Sequence, residues 1–173
     1  MQPVVRHSLK PRMAAIAPCA ADVVKSAGGW LFDQVLAGWD VTVLTSDQAD
    51  RRALRILGVR DHELDYALAY PVHGPCLAAI AVPAEMYQAD ERVRRMVLAA
   101  AEAGHTEIRL WGECDAVLAG FEAGDPVAHR LSAAARAFKA QAMTAAAIRA
   151  DGPADTEVFR RGAIRRAGLA SAH

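Results

Sequence analysis

The segment SAGGWLFDQVLAGWDVTVLTSDQAD, residues 26–50, decides the fold prediction. A glycine pair opens it, an amphipathic run ends before Gly38, and the β-branched stretch DVTVLT follows at residues 40–45. The pattern predicts a helix over residues 30–37 that stops at a glycine, and then a buried strand. A shorter apolar stretch upstream, MAAIAP at residues 13–18, can supply the preceding strand. The segment is therefore typical of a βαβ unit, whether or not it binds a ligand.

The rest of the chain repeats this alternation of strands and helices. Two further strands are predicted, CLAAIAVP at residues 76–83 and TEIRLWGE at residues 106–113. Helices are predicted over residues 51–57 and 91–103, the latter with Asp90 as its N-cap. Asp125 and Pro126 are expected to begin a long alanine-rich helix that reaches residue 150. The order predicts an α/β fold, a Rossmann-like three-layer sandwich with a mainly parallel sheet of about four or more strands.

Length and composition set the expected domain organisation. The chain has 173 residues, of which 53% are hydrophobic and 23% charged, values typical of a globular protein. We expect a single α/β domain over residues 1–150. Residues 151–173 are predicted to form a linker, DGPAD, and a short basic C-terminal helix that contains FRRGAIRR.

Charge and cysteine content limit the expected partners. The formal net charge is zero, so no global field attracts nucleic acid or a membrane surface, and no apolar run is long enough to span a bilayer. The three cysteines are odd in number and lack CxxC spacing, which argues against a disulfide framework and indicates a cytoplasmic location. Alanine-rich helix faces permit close packing, so a homodimer or other homo-oligomer is expected.

Ligands of parallel α/β sheets bind beyond the carboxyl ends of the strands. After the first strand, a loop containing Lys25, Ser26, Gly28 and Gly29 would offer backbone N–H groups at a helix start, which suits a small anionic ligand. The other interpretation of the glycines is that they let the helix approach the sheet closely. Asp47, after the second strand, is a candidate for binding a ribose hydroxyl, or else a turn residue.

A family resemblance rests on these same residues. The stretch PCAADVVKSAGGWLFDQVLAGWDVTVLTSD, residues 18–47, resembles the opening of the LmbE/PIG-L N-deacetylases. In that family a strand ends in His-Pro-Asp-Asp-Glu, a Gly-Gly pair follows, and a glycine precedes a valine-rich strand. EIRLWGECD at residues 107–115 and DPVAHRLSAAARA at residues 125–137 resemble later family segments. The resemblance implies an α/β fold and a site after the first strand.

The resemblance also implies a degenerate metal site. In the family, the His and the second Asp of the motif bind zinc with a later His, and the first Asp is the general base. Here Cys19 and Asp22 occupy the two ligand positions, His129 is the candidate third ligand, and Ala21 replaces the base. Cys, Asp and His can hold zinc, but alanine accepts no proton, so another acid, Glu113 or Asp115, would have to replace it.

Three functions remain open at this level. The first is a noncatalytic or regulatory relative of LmbE-like proteins that binds a small ligand. The second is a zinc-dependent N-deacetylase or amidase with rearranged ligands. The third is an oligomeric interaction protein with no ligand site.

Overall fold

The computed structural model describes residues 10–70, 76–149, 151–152 and 154–165. Eight strands and six helices occur in these ranges. In chain order they are β1 (Arg12–Ala17), α1 (Ala20–Leu36), β2 (Asp40–Thr45), α2 (Arg51–Ile56), β3 (Arg60–Glu63), α3 (Leu64–Ala69), β4 (Ala79–Pro83), α4 (Ala84–Ala89), α5 (Glu91–Glu102), β5 (Glu107–Trp111), β6 (Val117–Leu118), β7 (Phe121–Arg130), α6 (Ala133–Ala145) and β8 (Thr156–Ile164).

The strands form one sheet in the order β3-β2-β1-β4-β5-β8-β7-β6. The first five of these are mutually parallel, and the last three add in antiparallel orientation. From β1 the chain winds outward through β2 to β3 and then returns to place β4 on the other side of β1. The strand order therefore reverses between β1 and β4, which is where doubly wound sheets open a crevice for ligands. The predicted α/β class with a mainly parallel sheet is confirmed.

Two apolar cores cover the two faces of the sheet. Met13 and Ala15 of β1 face a core built with α1, α2 and α6, whereas Ile16 of the same strand faces a core built with α3, α4 and α5. Alternate residues of a strand point to opposite faces, so a strand that is buried throughout must be apolar at nearly every position. This explains why MAAIA forms the central strand despite its alanines.

Glycines end three helices as the sequence predicts. Gly38, Gly58 and Gly104 follow α1, α2 and α5 with φ values of 91°, 74° and 88°. This left-handed conformation is strained for residues with a Cβ. The Asp90 carboxylate caps α5 by accepting hydrogen bonds from the N–H groups of Arg92 and Val93.

The prediction for the C-terminal third is wrong in two places. Residues 121–130 form β7 instead of the start of a long helix, and helix α6 begins only at Ala133, after Ser132 as its N-cap. Residues 156–164 form β8 instead of a basic helix. The physical reason is that β7 and β8 pair with each other along most of their length and β8 also pairs with β5. Residues 166–173 of the predicted basic helix lie outside the described residues.

Within the described ranges, no helix has both the length and the apolar character needed to cross a membrane.

Candidate functional site

A cleft of about 710 Å³ opens at the carboxyl ends of β1, β4 and β5, beside the point where the strand order reverses. Trp111 ends β5 and forms part of the wall, and Asp22 enters the cleft from the first turn of α1. The other lining residues are Pro18, Ser26, Pro83, Glu85, Met86, Gln88, Ala89, Gly112 and Glu113. A concave site with apolar walls and a few polar groups is the usual form of a small-molecule site.

Asp22 and Trp111, which both line the cleft, are hydrogen-bonded to each other. The indole Nε1 of Trp111 donates a hydrogen bond to Asp22 Oδ2 at 3.3 Å. Burial raises the pKa of the Asp22 carboxyl and the nearby Glu85 adds to this effect, while the indole hydrogen bond and Lys25 oppose it. A carboxylate that is partly desolvated in this way binds a positive charge or a hydrogen-bond donor more strongly than an exposed one does.

A second cavity of about 360 Å³ adjoins the cleft and is lined partly by two buried charged residues, Lys139 of α6 and Glu157 of β8. Their side chains are 3% and 2% exposed, and Lys139 Nζ donates to Glu157 Oε1 at 2.6 Å. Lys139 also donates to the carbonyl oxygen of Lys25 at 2.7 Å. The carboxylate of Glu157 accepts hydrogen bonds from the N–H groups of Gly29 at 2.9 Å and Trp30 at 2.7 Å. We call these contacts of Lys139 and Glu157 with α1 the buried clamp.

The predicted anion loop is not a loop. Gly28 and Gly29 are buried in the middle of α1, which begins ten residues before the predicted helix, at Ala20. Their N–H groups are therefore within a helix, and that of Gly29 is bound by Glu157. The close-approach interpretation describes Gly29 better, because a Cβ there would lie 2.1 Å from Leu131 Cδ2. Lys25 and Ser26 remain near the candidate site, since both line the second cavity.

Asp47 does not line the cleft, although its N–H donates a hydrogen bond to the carbonyl oxygen of Pro18, which does. It is exposed, and its Oδ1 accepts a hydrogen bond from the N–H of Ala49 two residues later. This is the geometry of a turn stabilised by an aspartate side chain.

The three residues predicted to bind zinc are not brought together. His129 Nε2 lies 2.8 Å from Asp33 Oδ2, in the last part of α1. Asp33 is eleven residues beyond Asp22, which is about 16 Å along a helix axis. Cys19 is half-buried at the N-cap position of α1 and makes no capping hydrogen bond with its side chain. Across the described part of the chain, no group of three or more His, Cys, Asp or Glu side chains could hold a metal ion.

The zinc site that the resemblance implies therefore does not fit these residues. Asp22 is the one member of the set that lines the cleft, and the indole of Trp111 already binds one of its oxygens. Ala21 supplies no proton acceptor beside it. Glu113 lines the same cleft and Asp115 lines a neighbouring cavity, so both lie on this side of the sheet.

Several solved structures with a similar fold are deacetylases. A deacetylase triple mutant from the teicoplanin biosynthetic pathway matches with a TM-score of 0.67 at 16% identity, over 91% of this chain and 100% of its own. The A40926 pseudoaglycone deacetylase matches with a TM-score of 0.67 at 18% identity, over 92% of this chain and 100% of its own. The N,N'-diacetylchitobiose deacetylase from Pyrococcus horikoshii matches with a TM-score of 0.54 at 13% identity, over 87% of this chain and 83% of its own.

The fold is that of the LmbE/PIG-L deacetylases. The family resemblance inferred from residues 18–47 is thus confirmed at the level of the fold. Neither a protein-family model nor a curated protein sequence matches the chain. Because these structures are under 20% identical to this chain, the similarity shows the fold and does not show an activity.

Sequence reasoning missed the buried clamp. A signal for it exists, because Ala135, Lys139, Ala142 and Met143 recur at helical spacing and all are buried in α6. A lysine on the apolar face of a helix must find a buried acceptor or ion partner. The corresponding signal for Glu157 is that it lies two positions before Phe159, so both side chains face the buried side of β8.

Proposed function

We propose that the protein binds a small polar ligand in the cleft beside Asp22 and Trp111, as a noncatalytic or regulatory relative of the LmbE-like deacetylases. One observation carries this proposal. The cleft of about 710 Å³ keeps Asp22 as a partly desolvated carboxylate, while the other positions that the family uses for chemistry are altered or displaced.

Hydrolysis of an amide requires a group that takes a proton from water at the reacting carbon. The position that the resemblance assigns to this base is Ala21, which has no titratable group. His129, the candidate third ligand, is held by Asp33 about 16 Å from Asp22 along α1. The residues that would perform zinc-dependent deacetylation are therefore missing or separated, whereas those that would contact a bound molecule are in place.

The cleft offers the contacts that a small polar molecule needs. Trp111 and Met86 give apolar contact area, and Ser26 and Gln88 offer hydrogen-bonding groups. Ligand sites combine a largely apolar surface with a few polar groups that fix orientation. Such a mixture of apolar and polar groups suits a protein that binds a ligand at the edge of the sheet without catalysing a reaction.

A fragment titration followed by NMR on the ¹⁵N-labelled protein tests the proposal. A set of polar fragments of low molecular weight should shift the signals of residues around Asp22, Ser26, Trp111 and Gly112. The Asp22→Asn variant should lose part of this response. The matched control is Asp47→Asn, which removes the same charge from an exposed turn outside the cleft.

Two results would overturn the proposal. Near one zinc per chain in protein purified without a His-tag, lost in both Cys19→Ala and Asp22→Ala while the fold survives, would support the zinc-dependent deacetylase or amidase. The absence of any response to the fragments at the cleft, together with a stable homo-oligomer in solution, would support an interaction protein without a ligand site.

A further inference from the structure

The cleft and the second cavity share three lining residues, Ser26, Trp111 and Gly112. The two spaces therefore adjoin at the carboxyl end of β5, where Trp111 contributes to the wall of each.

The two spaces differ in charge. Among the described residues, the cleft is lined by three carboxylates, those of Asp22, Glu85 and Glu113, and by no Lys, Arg or His. The described lining of the second cavity contains Lys25 and the ion-paired Lys139 and Glu157, which together carry one net positive charge. Opposite charges at two ends of one site favour a ligand whose charges are arranged in the same way.

Lys139 adds a second, independent observation. Its ammonium has three N–H groups, and the described residues supply two acceptors, the carbonyl oxygen of Lys25 and Oε1 of Glu157. The side chain is only 3% exposed, and Lys139 lines the second cavity. A buried ammonium with one unused donor is costly unless an acceptor reaches it. Because Lys139 lines the second cavity, a carboxylate or carbonyl oxygen of a ligand bound there is a candidate third acceptor.

The spacing of the two ends is set by α1. Asp22 and Lys25 are three residues apart on α1, which is less than one helical turn. The carbonyl oxygen of Lys25 in turn holds the ammonium of Lys139 at 2.7 Å. Measured along α1, the Lys139 ammonium therefore lies within about one to two helical turns of Asp22, roughly 5–11 Å, which a short aliphatic chain spans.

We propose that the cleft and the second cavity form one binding site for a small zwitterion, whose ammonium lies against Asp22 and whose carboxylate lies against Lys139 and Lys25. This inference rests on the proposed ligand-binding function and names its ligand class. Trp111 contacts the chain between the two charges, and Glu85 and Glu113 add to the attraction for the ammonium.

Three probes of similar length test the two charged ends of the proposed site separately. ε-Aminocaproate carries both charges, hexylamine carries only the ammonium, and hexanoate carries only the carboxylate. We expect ε-aminocaproate to bind at least about 10-fold more tightly than either of the others. Asp22→Asn should weaken the binding of ε-aminocaproate and hexylamine but not that of hexanoate, which loses a repulsive charge. Lys25→Met should weaken the binding of ε-aminocaproate and hexanoate but not that of hexylamine.

The lysine side chains report the position of the carboxylate directly. The chain has three lysines, Lys10, Lys25 and Lys139. In protein labelled with ¹³C-lysine, the ε-methylene signals of Lys25 and Lys139 should shift with ε-aminocaproate and hexanoate but not with hexylamine. Lys10 precedes β1 and lines neither space, so its signal serves as the internal control.

The outcomes distinguish this inference from the proposed function. Equal affinity for hexylamine and ε-aminocaproate, or Lys139 signals that do not move, would overturn the zwitterion inference and leave ligand binding in the cleft intact. If none of the probes binds up to about 10 mM, the zwitterion inference also fails, and the fragment titration then decides the proposed function on its own.

Discussion

The ammonium of Lys139 lies 2.6 Å from the carboxylate of Glu157, in an ion pair whose side chains are only 3% and 2% exposed. Removing two charges from water is costly, and the pair is tolerated because both carboxylate oxygens and two of the three ammonium N–H groups are hydrogen-bonded. Glu157 accepts from the N–H groups of Gly29 and Trp30, and Lys139 donates to the carbonyl oxygen of Lys25. The buried clamp thus fastens α6 and β8 to the middle of α1, whose first turns carry Asp22.

Lys139→Met should lower the free energy of unfolding by about 3–5 kcal/mol, because it leaves the Glu157 carboxylate buried without its partner. The control on the same helix is Arg136→Met. Arg136 pairs with Asp155 at the surface, where both side chains are well exposed, so this change should cost no more than about 1 kcal/mol. Urea unfolding followed by circular dichroism compares the two. Equal losses in the two variants would show that the clamp does not stabilise the fold.

The glycine pair offers a second test with a built-in control. Gly29→Ala should destabilise the protein by about 1–3 kcal/mol, since its Cβ would overlap Leu131, with Cδ2 at 2.1 Å and Cδ1 at 2.7 Å. The Cβ of Gly28→Ala would lie nearest to Leu57 Cδ1, at 3.3 Å, a contact that a small shift of the Leu57 side chain relieves. Because alanine favours a helix interior over glycine by about 1 kcal/mol, this change should cost much less stability than Gly29→Ala. Thermal unfolding of both variants gives the comparison, and a stable Gly29→Ala protein would contradict the packing described.

Asp33 is expected to make stability depend on pH in the acid range. Partial burial acts to raise the pKa of its carboxyl, but hydrogen bonds from Ser132 and His129 outweigh this effect, and the pKa lies below its usual value. A depressed acid pKa stabilises the fold above the pKa of the unfolded chain, about 3.9. This contribution is lost as the pH falls through the folded pKa. Asp33→Asn should therefore lower the urea midpoint more at pH 6 than at pH 2. An effect of the same size at both pH values would rule out the ionised carboxylate as its cause.

The contribution of Asp22 to stability should depend on pH in the opposite direction. Burial raises the pKa of this carboxyl above its usual value, so its ionised form is penalised in the folded protein. The penalty is absent below the unfolded pKa and complete above the folded pKa. Asp22→Asn should therefore raise the midpoint of urea unfolding near pH 7 and leave it unchanged near pH 3, while weakening ligand binding in the cleft. A lower midpoint near pH 7 would mean that the charge of Asp22 stabilises the fold and would weaken its assignment to a ligand.

The sequence by itself determined four of the five parallel strands, β1, β2, β4 and β5, and missed β3. DVTVLT forms β2 over the predicted residues, and α5 runs from Glu91, after the Asp90 cap, to a stop before Gly104. These signals are local, because a cap, a glycine stop and an alternating apolar strand each depend on residues within about one turn of one another. The Gly28-Gly29 spacing to DVTVLT was likewise enough to indicate the LmbE-like fold.

Only the tertiary structure decided the antiparallel half and the composition of the site. Residues 125–130 have a pattern that also suits a helix, and their pairing with β8 makes them a strand. The contacts that define the site join distant residues: Trp111 and Asp22 are 89 positions apart, and Gly29 and Glu157 are 128 apart. His129 contacts Asp33, 96 positions away in the sequence, instead of Cys19 and Asp22. Local patterns cannot select among such partners, because the choice depends on which elements the whole sheet brings side by side.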